Sequence, residues 1–372
     1  MVRIFVTCSS FLEPLLEEEL REMGFGSTHP GFRGVYVDIA DFSDIYRLNY
    51  GSRIASRVLF PLEHFKVWDD RGLYRGARKI DWSQYLKLKE TFAIDFSVDH
   101  PAFKNSLYAA QVVKDAICDH FRDKEGSRPS VDTLRPQVQF HLYIREGYAT
   151  LSLDTSGVPL HKRGYRQEGG EAPLQETLAA ALLRLARYTK DDTLLDPCMG
   201  SGTFLIEAAM MASNTPPGYL RQKWGFTSHP EYSESAWLKT KQALDKAILP
   251  LSPNKIFGID INKAQLRLAL ANIRTAGFHR FIKVAEGDFR DFTPEIKPSL
   301  IIANPPYGKR MGGDEPYMTS LYQALGDFFK AQAPAKAFVL TSANYPIGLR
   351  TSKRHLISTG GLEARFFEFD IF

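Results

Sequence analysis

Cysteine is scarce in this sequence of 372 residues, and the three that occur, Cys8, Cys118 and Cys198, are far apart. An odd and dispersed set of cysteines argues against a disulfide framework or a zinc site, and it is typical of a reducing compartment. Long apolar runs are also absent, both at the first residues, where a signal peptide would need one, and along the rest of the chain. We therefore expect a cytoplasmic protein without a membrane segment and without a bound metal.

The chain lacks a large excess of charge of either sign: it has 47 Lys and Arg against 43 Asp and Glu, which gives a net charge of +4. The first 160 residues contain slightly more acidic than basic side chains, so the N-terminal part is not a basic module. A nucleic-acid partner is permitted by this balance, but it would have to bind through local patches. The length and the apolar content of 44% are sufficient for two or three domains with cores of their own.

The N-terminal part alternates short strands and helices, which predicts an α+β region. Strands are expected at 2–7, 35–39 and 55–60, with helices at 11–23 and 41–49 and with Asp41 as the N-cap of the second helix. A second α+β unit follows, with a strand at 91–98, a helix that begins after Asn105, and a hairpin of 137–144 with 148–153 around Glu146-Gly147.

Two segments interleave cations with aromatic residues. In the first, Lys66, Arg71 and Arg75 alternate with tryptophan and tyrosine, and in the second, 161–170, Arg163, Tyr165 and Arg166 follow a histidine and a lysine. Cations that meet phosphates beside rings on which unstacked bases lie are what recognition of single-stranded RNA requires. We predict RNA contacts for these six residues. A surface loop with its aromatics buried beneath it remains the alternative for 66–85, and the second segment is expected to be a flexible domain boundary.

The stretch from Leu194 to Ala209 is the centre of the sequence. An apolar run ends at Asp196, a turn with Gly200 and Gly202 follows, and an apolar-periodic helix begins at Thr203, which is the strand-loop-helix start of a parallel nucleotide-binding sheet. No lysine completes a phosphate-binding loop, and the third glycine of the dinucleotide fingerprint is absent. A zwitterionic nucleoside such as S-adenosylmethionine fits the turn, with its carboxylate on the first amides of the helix. The alternative is a glycine-rich turn required only for packing. The predicted cofactor-binding residues here are Asp196, Pro197, Gly200, Ser201, Gly202 and Thr203.

Two further apolar strands end in carboxylates. Asp260 closes the run 255–260 and is expected to accept the ribose hydroxyls, although it could equally be the N-cap of the following helix. Asp288 follows the strand at 281–285, where it could accept the adenine amino group while Phe289 flanks the ring. A structural aspartate after a glycine is the alternative for Asp288.

The apolar run 299–303 leads directly into Asn304-Pro305-Pro306-Tyr307. Two successive prolines supply no amide donors, so the carbonyls of Asn304 and Pro305 join the Asn304 amide oxygen as acceptors. Such a set suits an exocyclic amine on a flat base, with Tyr307 stacked on the base. We therefore predict Asn304, Pro305 and Tyr307 as catalytic residues, and Asn304 as a cofactor neighbour; a polyproline turn without a chemical role is the alternative.

The strand order predicts an α/β fold: a mostly parallel, seven-stranded Rossmann-type sheet with a closing antiparallel hairpin at 353–358 and 363–372. The long excursion at 214–254, rich in proline, tryptophan and tyrosine, is expected to be either an insertion between strand units or a cover over the site.

The motifs Asp196 to Thr203 and Asn304 to Tyr307 resemble those of class I S-adenosylmethionine-dependent methyltransferases that modify guanine N2 in RNA. The whole chain is similar to the THUMP-containing branch, and most similar to the N-terminal half of the bifunctional bacterial large-subunit rRNA guanine methyltransferases. Asn49 to Arg57, Leu160 to Arg166, Ala172 to Ala181 and Trp224-Gly225-Phe226 extend the match. The order Cys198-Met199 departs from the family pattern, and no counterpart of the second methyltransferase half of the fused enzymes is present in this sequence.

The resemblance implies a ferredoxin-like unit at 1–60, a THUMP RNA-binding domain at 43–154, a linker at 155–171 and a methyltransferase domain at 172–372. It implies S-adenosylmethionine as the cofactor, held by Asp260 and Asp288, and we include Glu176 among the cofactor-binding residues. The expected partner is RNA, with 23S rRNA favoured and tRNA as the nearest alternative. DNA or protein amine methylation, and an RNA-binding module without chemistry, are the remaining alternatives.

Overall fold

A computed structural model describes residues 2–103, 105–166, 174–306, 315–359 and 362–372. It divides into two compact units. The first unit contains Met1–Cys8, Leu16–Leu160 and Arg221–Ala243, and the second contains Ser9–Leu15, His161–Leu220 and Leu244–Phe372.

Strands and helices are interspersed through the described ranges. In chain order the strands are β1 Val2–Thr7, β2 Thr28–Gly31, β3 Gly34–Ile39, β4 Arg57–Lys66, β5 Thr91–Asp99, β6 Ser130–Val131, β7 Val138–Arg145, β8 Tyr148–Asp154, β9 Leu194–Asp196, β10 Ile256–Asp260, β11 Ile282–Glu286, β12 Leu300–Ala303, β13 Ala335–Thr341, β14 Lys353–Thr359 and β15 Leu362–Ile371. The helices are α1 Glu13–Glu22, α2 Ser43–Gly51, α3 Asp70–Ala77, α4 Ser106–Glu125, α5 Glu176–Leu185, α6 Thr203–Ala212, α7 Glu234–Asp245, α8 Lys263–Thr275 and α9 Glu315–Ala331. None of the helices in the described ranges is long and apolar enough to cross a membrane.

The first unit is built on an eight-stranded sheet of order β2-β3-β1-β4-β8-β7-β5-β6. The predicted hairpin of β7 and β8 is present, and Glu146 and Gly147 both have positive φ, as the tight turns that match the twist of two strands require. Strands β2 and β6 were not predicted; they are four and two residues long, too short for a visible alternation. Trp82 is buried in the core on α3 and α4, and its indole N–H donates to the Ala77 carbonyl.

Of the two N-caps predicted in the first unit, one is confirmed and one is wrong. Asn105 caps α4, since its side chain accepts the Leu107 N–H at 2.9 Å. Asp41, however, is not the N-cap of α2. Phe42 holds that position, and Asp41 accepts the Ser43 N–H from one residue further upstream.

The excursion at 214–254 is divided between the two units, and its central part, Arg221–Ala243, groups with the first unit. Its aromatic side chains pack on α2: the ring centroids of Phe226 and Tyr46 are 4.9 Å apart, and those of Trp237 and Tyr50 are 5.3 Å apart. The Tyr46 hydroxyl also accepts the Ser233 N–H at 2.8 Å. A chain segment between α6 and β10 is thus part of the core of the N-terminal unit.

The second unit contains the predicted seven-stranded sheet, with the order β11-β10-β9-β12-β13-β15-β14. Strands β9 to β13 are parallel, and β15 lies antiparallel between β13 and β14. The fold class is therefore confirmed. The order reverses between β9 and β12, so the loops after these two strands turn to opposite faces and leave a crevice where ligands of such sheets bind.

Candidate active site at the strand ends of the parallel sheet

The predicted carboxylates and Asn304 lie at one edge of the second unit's sheet. Asp196 ends β9 and Asp260 ends β10, while Asp288 and Asn304 follow β11 and β12. Because these four strands are parallel and adjacent, their carboxyl ends meet at the same edge. The tertiary structure thus brings together residues that are separated by as many as 108 positions in the sequence.

The two glycines of the turn after β9 are needed for different reasons. Gly200 and Gly202 both have positive φ, at 52° and 81°. A Cβ on Gly202 would lie 3.3 Å from the Cβ of Ala269, so this glycine allows α8 to pack closely. A Cβ on Gly200 would have no neighbour nearer than 4.0 Å, so the backbone there is open to the approach of a ligand.

Asp196 is buried, with 1% of its surface exposed, and its carboxylate accepts the Cys198 N–H at 3.0 Å. Burial raises the pKa of Asp196 well above its ordinary value, and the nearby Asp260 acts in the same direction. A buried carboxyl in this state gains from a cationic neighbour, because a positive charge offsets the desolvation of its ionised form. The ammonium group of a zwitterionic ligand is such a neighbour.

Asp260 holds the glycine turn with one oxygen and the start of α8 with the other. Its Oδ2 accepts the Gly200 N–H at 2.8 Å, and its Oδ1 accepts the Asn262 N–H at 2.8 Å. The alternative that Asp260 caps α8 is not supported, since Asn262 is the N-cap and accepts from Ala264. Each carboxylate oxygen has a second lone pair for a hydroxyl donor.

Asp288 and Phe289 differ in how well they fit their predicted roles. The Asp288 carboxylate caps the short turn that follows it and accepts from the Arg290 guanidinium, which lowers the pKa of Asp288. The Phe289 ring is 6% exposed and packs against Phe328 at a centroid distance of 5.7 Å. Because the ring belongs to the core, the prediction that it flanks the adenine does not fit this structure; the sequence could not distinguish a core phenylalanine from an exposed one.

Asn304 presents an acceptor without an internal partner. Its side-chain Oδ1 is buried and accepts no hydrogen bond from any of the residues that the structure describes. Pro305 is buried beside it. A buried amide oxygen without a donor is costly, so its retention at the end of β12 favours a donor supplied by a ligand. Tyr307 lies outside the described residues.

Tyr322 and Thr341 are polar neighbours of this turn that sequence reasoning missed. The Tyr322 hydroxyl, on α9, donates to the Pro306 carbonyl at 3.3 Å and lies 2.7 Å from the Thr341 hydroxyl at the end of β13. Both side chains are buried. A tyrosine on the apolar face of a helix predicts a core residue. The sequence pattern therefore gives no indication of the contact between Tyr322 and Pro306.

The segment from Arg163 to Arg166 does not fit the RNA-binding role predicted for it. Arg163 and Tyr165 are buried, and both contact Glu207 of α6: Nε of Arg163 is 3.5 Å from its Oε1, and the Tyr165 hydroxyl donates to the same oxygen at 3.1 Å. Burial raises the pKa of Tyr165 well above its ordinary value. Arg166 bonds to Glu176 of α5, which is itself buried. Arg163 and Tyr165 therefore have no surface to offer to RNA. Residues 161–166 form a strap in which Arg163 and Tyr165 are buried and Arg166 is mostly buried, while Lys162 and Gly164 are exposed.

The remaining candidates for RNA contact, Lys66, Arg71 and Arg75, are on the first unit. Lys66 ends β4 and is exposed, with its Nζ 5.8 Å from the centre of the Tyr148 ring. Arg71 and Arg75 lie one turn apart on α3 and line a cleft of about 530 Å³ against α4.

Most other charges in that cleft are already paired. Tyr74 donates to Asp119, which also pairs with Arg122, and Lys114 pairs with Asp115. Arg71 and Arg75 form no ion pair within the described part of the chain, so they are the unpaired cations among the residues that line this cleft. The aromatics of 66–85 divide between the two predicted alternatives, since Trp82 is buried and Trp68 is 73% exposed.

Comparisons with known proteins agree with this geometry. The RMKL-like methyltransferase domain matches residues 163–354, the THUMP domain matches 69–154, and the RlmL ferredoxin-like domain matches 3–59. The candidate RNA methyltransferase slr0064 of Synechocystis sp. is 35% identical over 99% of this chain and 96% of its own length. The ribosomal RNA large subunit methyltransferase K/L of Pseudomonas entomophila is 36% identical over 99% of this chain, which spans 52% of that relative.

A solved structure extends the likeness to the cofactor. The candidate methyltransferase SMU.472, crystallised with S-adenosylhomocysteine (SAH), superposes with a TM-score of 0.87 at 25% identity and covers 100% of this chain and 98% of its own. The prediction of S-adenosylmethionine as the cofactor is thereby confirmed. The open turn at Gly200 and the carboxylates of Asp196 and Asp260 fit such a ligand. From its sequence and its fold, this chain belongs to the family of THUMP-containing, RMKL-like methyltransferases.

Proposed function

We propose that this enzyme transfers the methyl group of S-adenosylmethionine to the exocyclic N2 amine of a guanosine in RNA, with 23S rRNA as the favoured substrate. The observation that carries the proposal is the buried, unsatisfied Oδ1 of Asn304 at the end of β12. That oxygen lies at the same sheet edge as the glycine turn, and an N–H group of the substrate would supply the hydrogen-bond donor that it lacks. The names of the two relatives, an rRNA methyltransferase and a candidate RNA methyltransferase, support RNA as the source of that donor.

The chemistry follows from the acceptors. The lone pair of an exocyclic amine is delocalised into its ring, so the nitrogen is a weak nucleophile. Asn304 Oδ1 and the Pro305 carbonyl would accept its two N–H bonds, turn the nitrogen out of the ring plane and direct the lone pair at the methyl carbon, about 3–3.5 Å away. The new N–CH₃ bond forms as the S–CH₃ bond breaks, SAH leaves as a neutral thioether, and the proton on nitrogen passes to water.

The cofactor would be held by groups at the ends of β9, β10 and β11. We assign the ribose hydroxyls to Asp260, the adenine amino group to Asp288, and the cofactor carboxylate to the first amides of α6, after the turn formed by Pro197, Gly200, Ser201, Gly202 and Thr203. Asp196 would receive the ammonium group. Tyr307 keeps its proposed stacking role on the target base. Glu176, added to this set from sequence, is buried and bonded to Arg166, so we assign it to the support of the turn.

We further propose that residues 43–154 bind RNA as a THUMP domain beside a ferredoxin-like unit at 1–60. Residues 155–171 connect this region to 172–372, which carry the methyl transfer apart from the inserted segment Arg221–Ala243. Within 43–154, Lys66, Arg71 and Arg75 remain the proposed phosphate contacts, because all three are exposed and Arg71 and Arg75 form no ion pair in the described part of the chain.

The test of the function is the nucleoside content of RNA from cells that lack the gene. Mass spectrometry of 23S rRNA and tRNA, each purified before digestion, should show N2-methylguanosine lost from the rRNA pool and restored by the wild-type gene. Loss from tRNA alone would redirect the proposal to that substrate. No loss from either pool, together with methyl transfer to DNA or protein by the purified enzyme, would refute RNA as the substrate.

Neutralising the two uncommitted cations of α3 should weaken RNA binding by electrostatics alone. In Arg71→Gln/Arg75→Gln we expect a lower RNA affinity and a slope of log K against log salt that is smaller in magnitude by roughly 1–2, because each phosphate contact adds roughly 0.7–0.9 to that slope. The measurement is fluorescence anisotropy with an rRNA fragment at several salt concentrations. Arg78→Gln is the matched control on the same surface, because Arg78 is already paired with Asp123. An unchanged slope in the double variant would remove both residues from the RNA contact.

A further inference from the structure

The guanidinium of Arg166 joins three segments of the second unit at the base of the glycine turn. Its Nε donates to Glu176 Oε1 at 2.9 Å, and its Nη1 donates to Ser201 Oγ at 3.0 Å. Its Nη2 donates to Thr203 Oγ1 at 3.0 Å and to the Leu174 carbonyl at 3.1 Å. The side chain is 16% exposed, so these bonds are sheltered from water.

We infer that Arg166 is the positioning residue of the cofactor turn, and that it sets the binding of S-adenosylmethionine without contacting RNA. The inference rests on the cofactor site proposed above. Ser201 belongs to the turn itself, and Thr203 is the first residue of α6, whose free amides are the proposed seat of the cofactor carboxylate. A side chain that holds both hydroxyls determines where those amides point.

Only an arginine fits this position. The planar guanidinium presents donors in a fixed fork, and here both arms and Nε are used at once in different directions. A lysine would keep the positive charge beside Glu176 but would concentrate its donors on one atom, so it could not reach Glu176, Ser201 and Thr203 together.

The charge of Arg166 adds a second effect. Glu176 is buried, and this burial raises its pKa, while the ion pair with Arg166 acts in the opposite direction. The ion pair with Arg166 therefore offsets part of the cost of burying the ionised Glu176 carboxylate at the start of α5. The ion pair also leaves no uncompensated negative charge beneath a turn that receives the cofactor carboxylate.

A purely structural cross-link would behave differently from a positioning residue. Loss of a structural bond lowers the melting temperature and leaves the ligand affinity of the folded fraction unchanged. Loss of the positioning bonds displaces Ser201 and Thr203, so the folded variant binds the cofactor more weakly. Its RNA affinity is preserved, because the proposed RNA contacts are on the first unit. The two roles therefore separate in SAH calorimetry and RNA anisotropy.

The experiment compares Arg166→Lys with Arg163→Lys in the full chain. Arg163 belongs to the same strap, and its described partner is Glu207 of α6. We expect Arg166→Lys to raise the Kd for SAH and the KM for S-adenosylmethionine about tenfold, since one or two charge-assisted hydrogen bonds are lost. The kcat at saturating cofactor and the Kd for RNA should stay within about twofold. Arg163→Lys should lower the melting temperature without a comparable change in SAH affinity.

If Arg166→Lys does not fold, Thr203→Val and Ser201→Ala test the same hydrogen bonds, because each variant removes one hydroxyl that accepts from Arg166. Each is expected to raise the Kd for SAH by less than Arg166→Lys does. An unchanged SAH affinity in all folded variants, or a loss of RNA affinity in Arg166→Lys with SAH affinity intact, would overturn the inference. Failure of the wild-type protein to bind SAH would instead contradict the proposed cofactor site itself.

Discussion

Asn304→Ala is expected to reduce methyl transfer by at least about 10²–10³-fold, the range that removal of one preorganised hydrogen-bonding group at a reacting centre produces. The variant loses the only side-chain acceptor that the described residues place at the end of β12 without a partner of its own. The amine would keep one backbone acceptor and would no longer be turned toward the methyl group.

The measurement is single-turnover transfer of labelled methyl to rRNA fragments, with SAH affinity determined by calorimetry on the same preparation. We expect the Kd for SAH to remain within a few-fold of the wild-type value, because the adenosine and the carboxylate are assigned to other residues. Asn304→Asp serves as a near-isosteric companion that retains an acceptor but adds a charge. A fully active Asn304→Ala enzyme would disprove the role assigned to Asn304 and with it the chemical argument above.

Asp260→Asn is expected to weaken cofactor binding by roughly 10²-fold. Both carboxylate oxygens accept backbone N–H groups, from Gly200 and from Asn262, at 2.8 Å. An amide in place of the carboxylate must turn its NH₂ group toward one of these two donors, so it breaks one anchor of the turn and removes one acceptor for the ribose. Two charge-assisted hydrogen bonds at about 1.5 kcal/mol each correspond to a change of this size.

Calorimetry with SAH and the KM for S-adenosylmethionine check this prediction. Asp327→Asn is the control, since Asp327 is an exposed carboxylate on α9 whose described partner is Lys330. The kcat at saturating cofactor should fall far less than the affinity does, because Asp260 is not assigned to the target base. A Kd for SAH close to that of the wild type would remove Asp260 from the cofactor site and leave it as a support of the loop alone.

Local signals predicted the framework of the site well. The apolar runs that end in Asp196 and Asp260, the glycines that require positive φ, and the Pro-Pro turn after β12 all act over a few residues, and each is legible in the sequence. Parallel strands then bring their ends to one edge whatever the details of packing. The fold class followed for the same reason.

Predictions about which face of a segment is exposed were less successful. The cation and aromatic spacing of 161–166 is compatible with an RNA-binding surface, and so is that of 66–85, yet the first packs around Glu207 and Glu176 whereas the second leaves Arg71 and Arg75 uncommitted. A buried arginine needs a buried carboxylate as its partner. Glu207 is 44 residues away from Arg163, on the face of an apolar helix, and nothing in the sequence joins the two.

The amino-acid sequence by itself determined the strand-turn-helix units, the position of the carboxylates at strand ends and the identity of the acceptor-rich turn, because backbone geometry and hydrogen bonding of neighbouring residues decide these features. Only the tertiary structure decided that Arg166 supports the glycine turn, that the Tyr322 hydroxyl reaches the Pro306 carbonyl, and that the segment Arg221–Ala243 belongs to the first unit. Those contacts depend on how elements that are distant in the sequence pack together, and such packing produces no periodic pattern of residues from which it could be predicted.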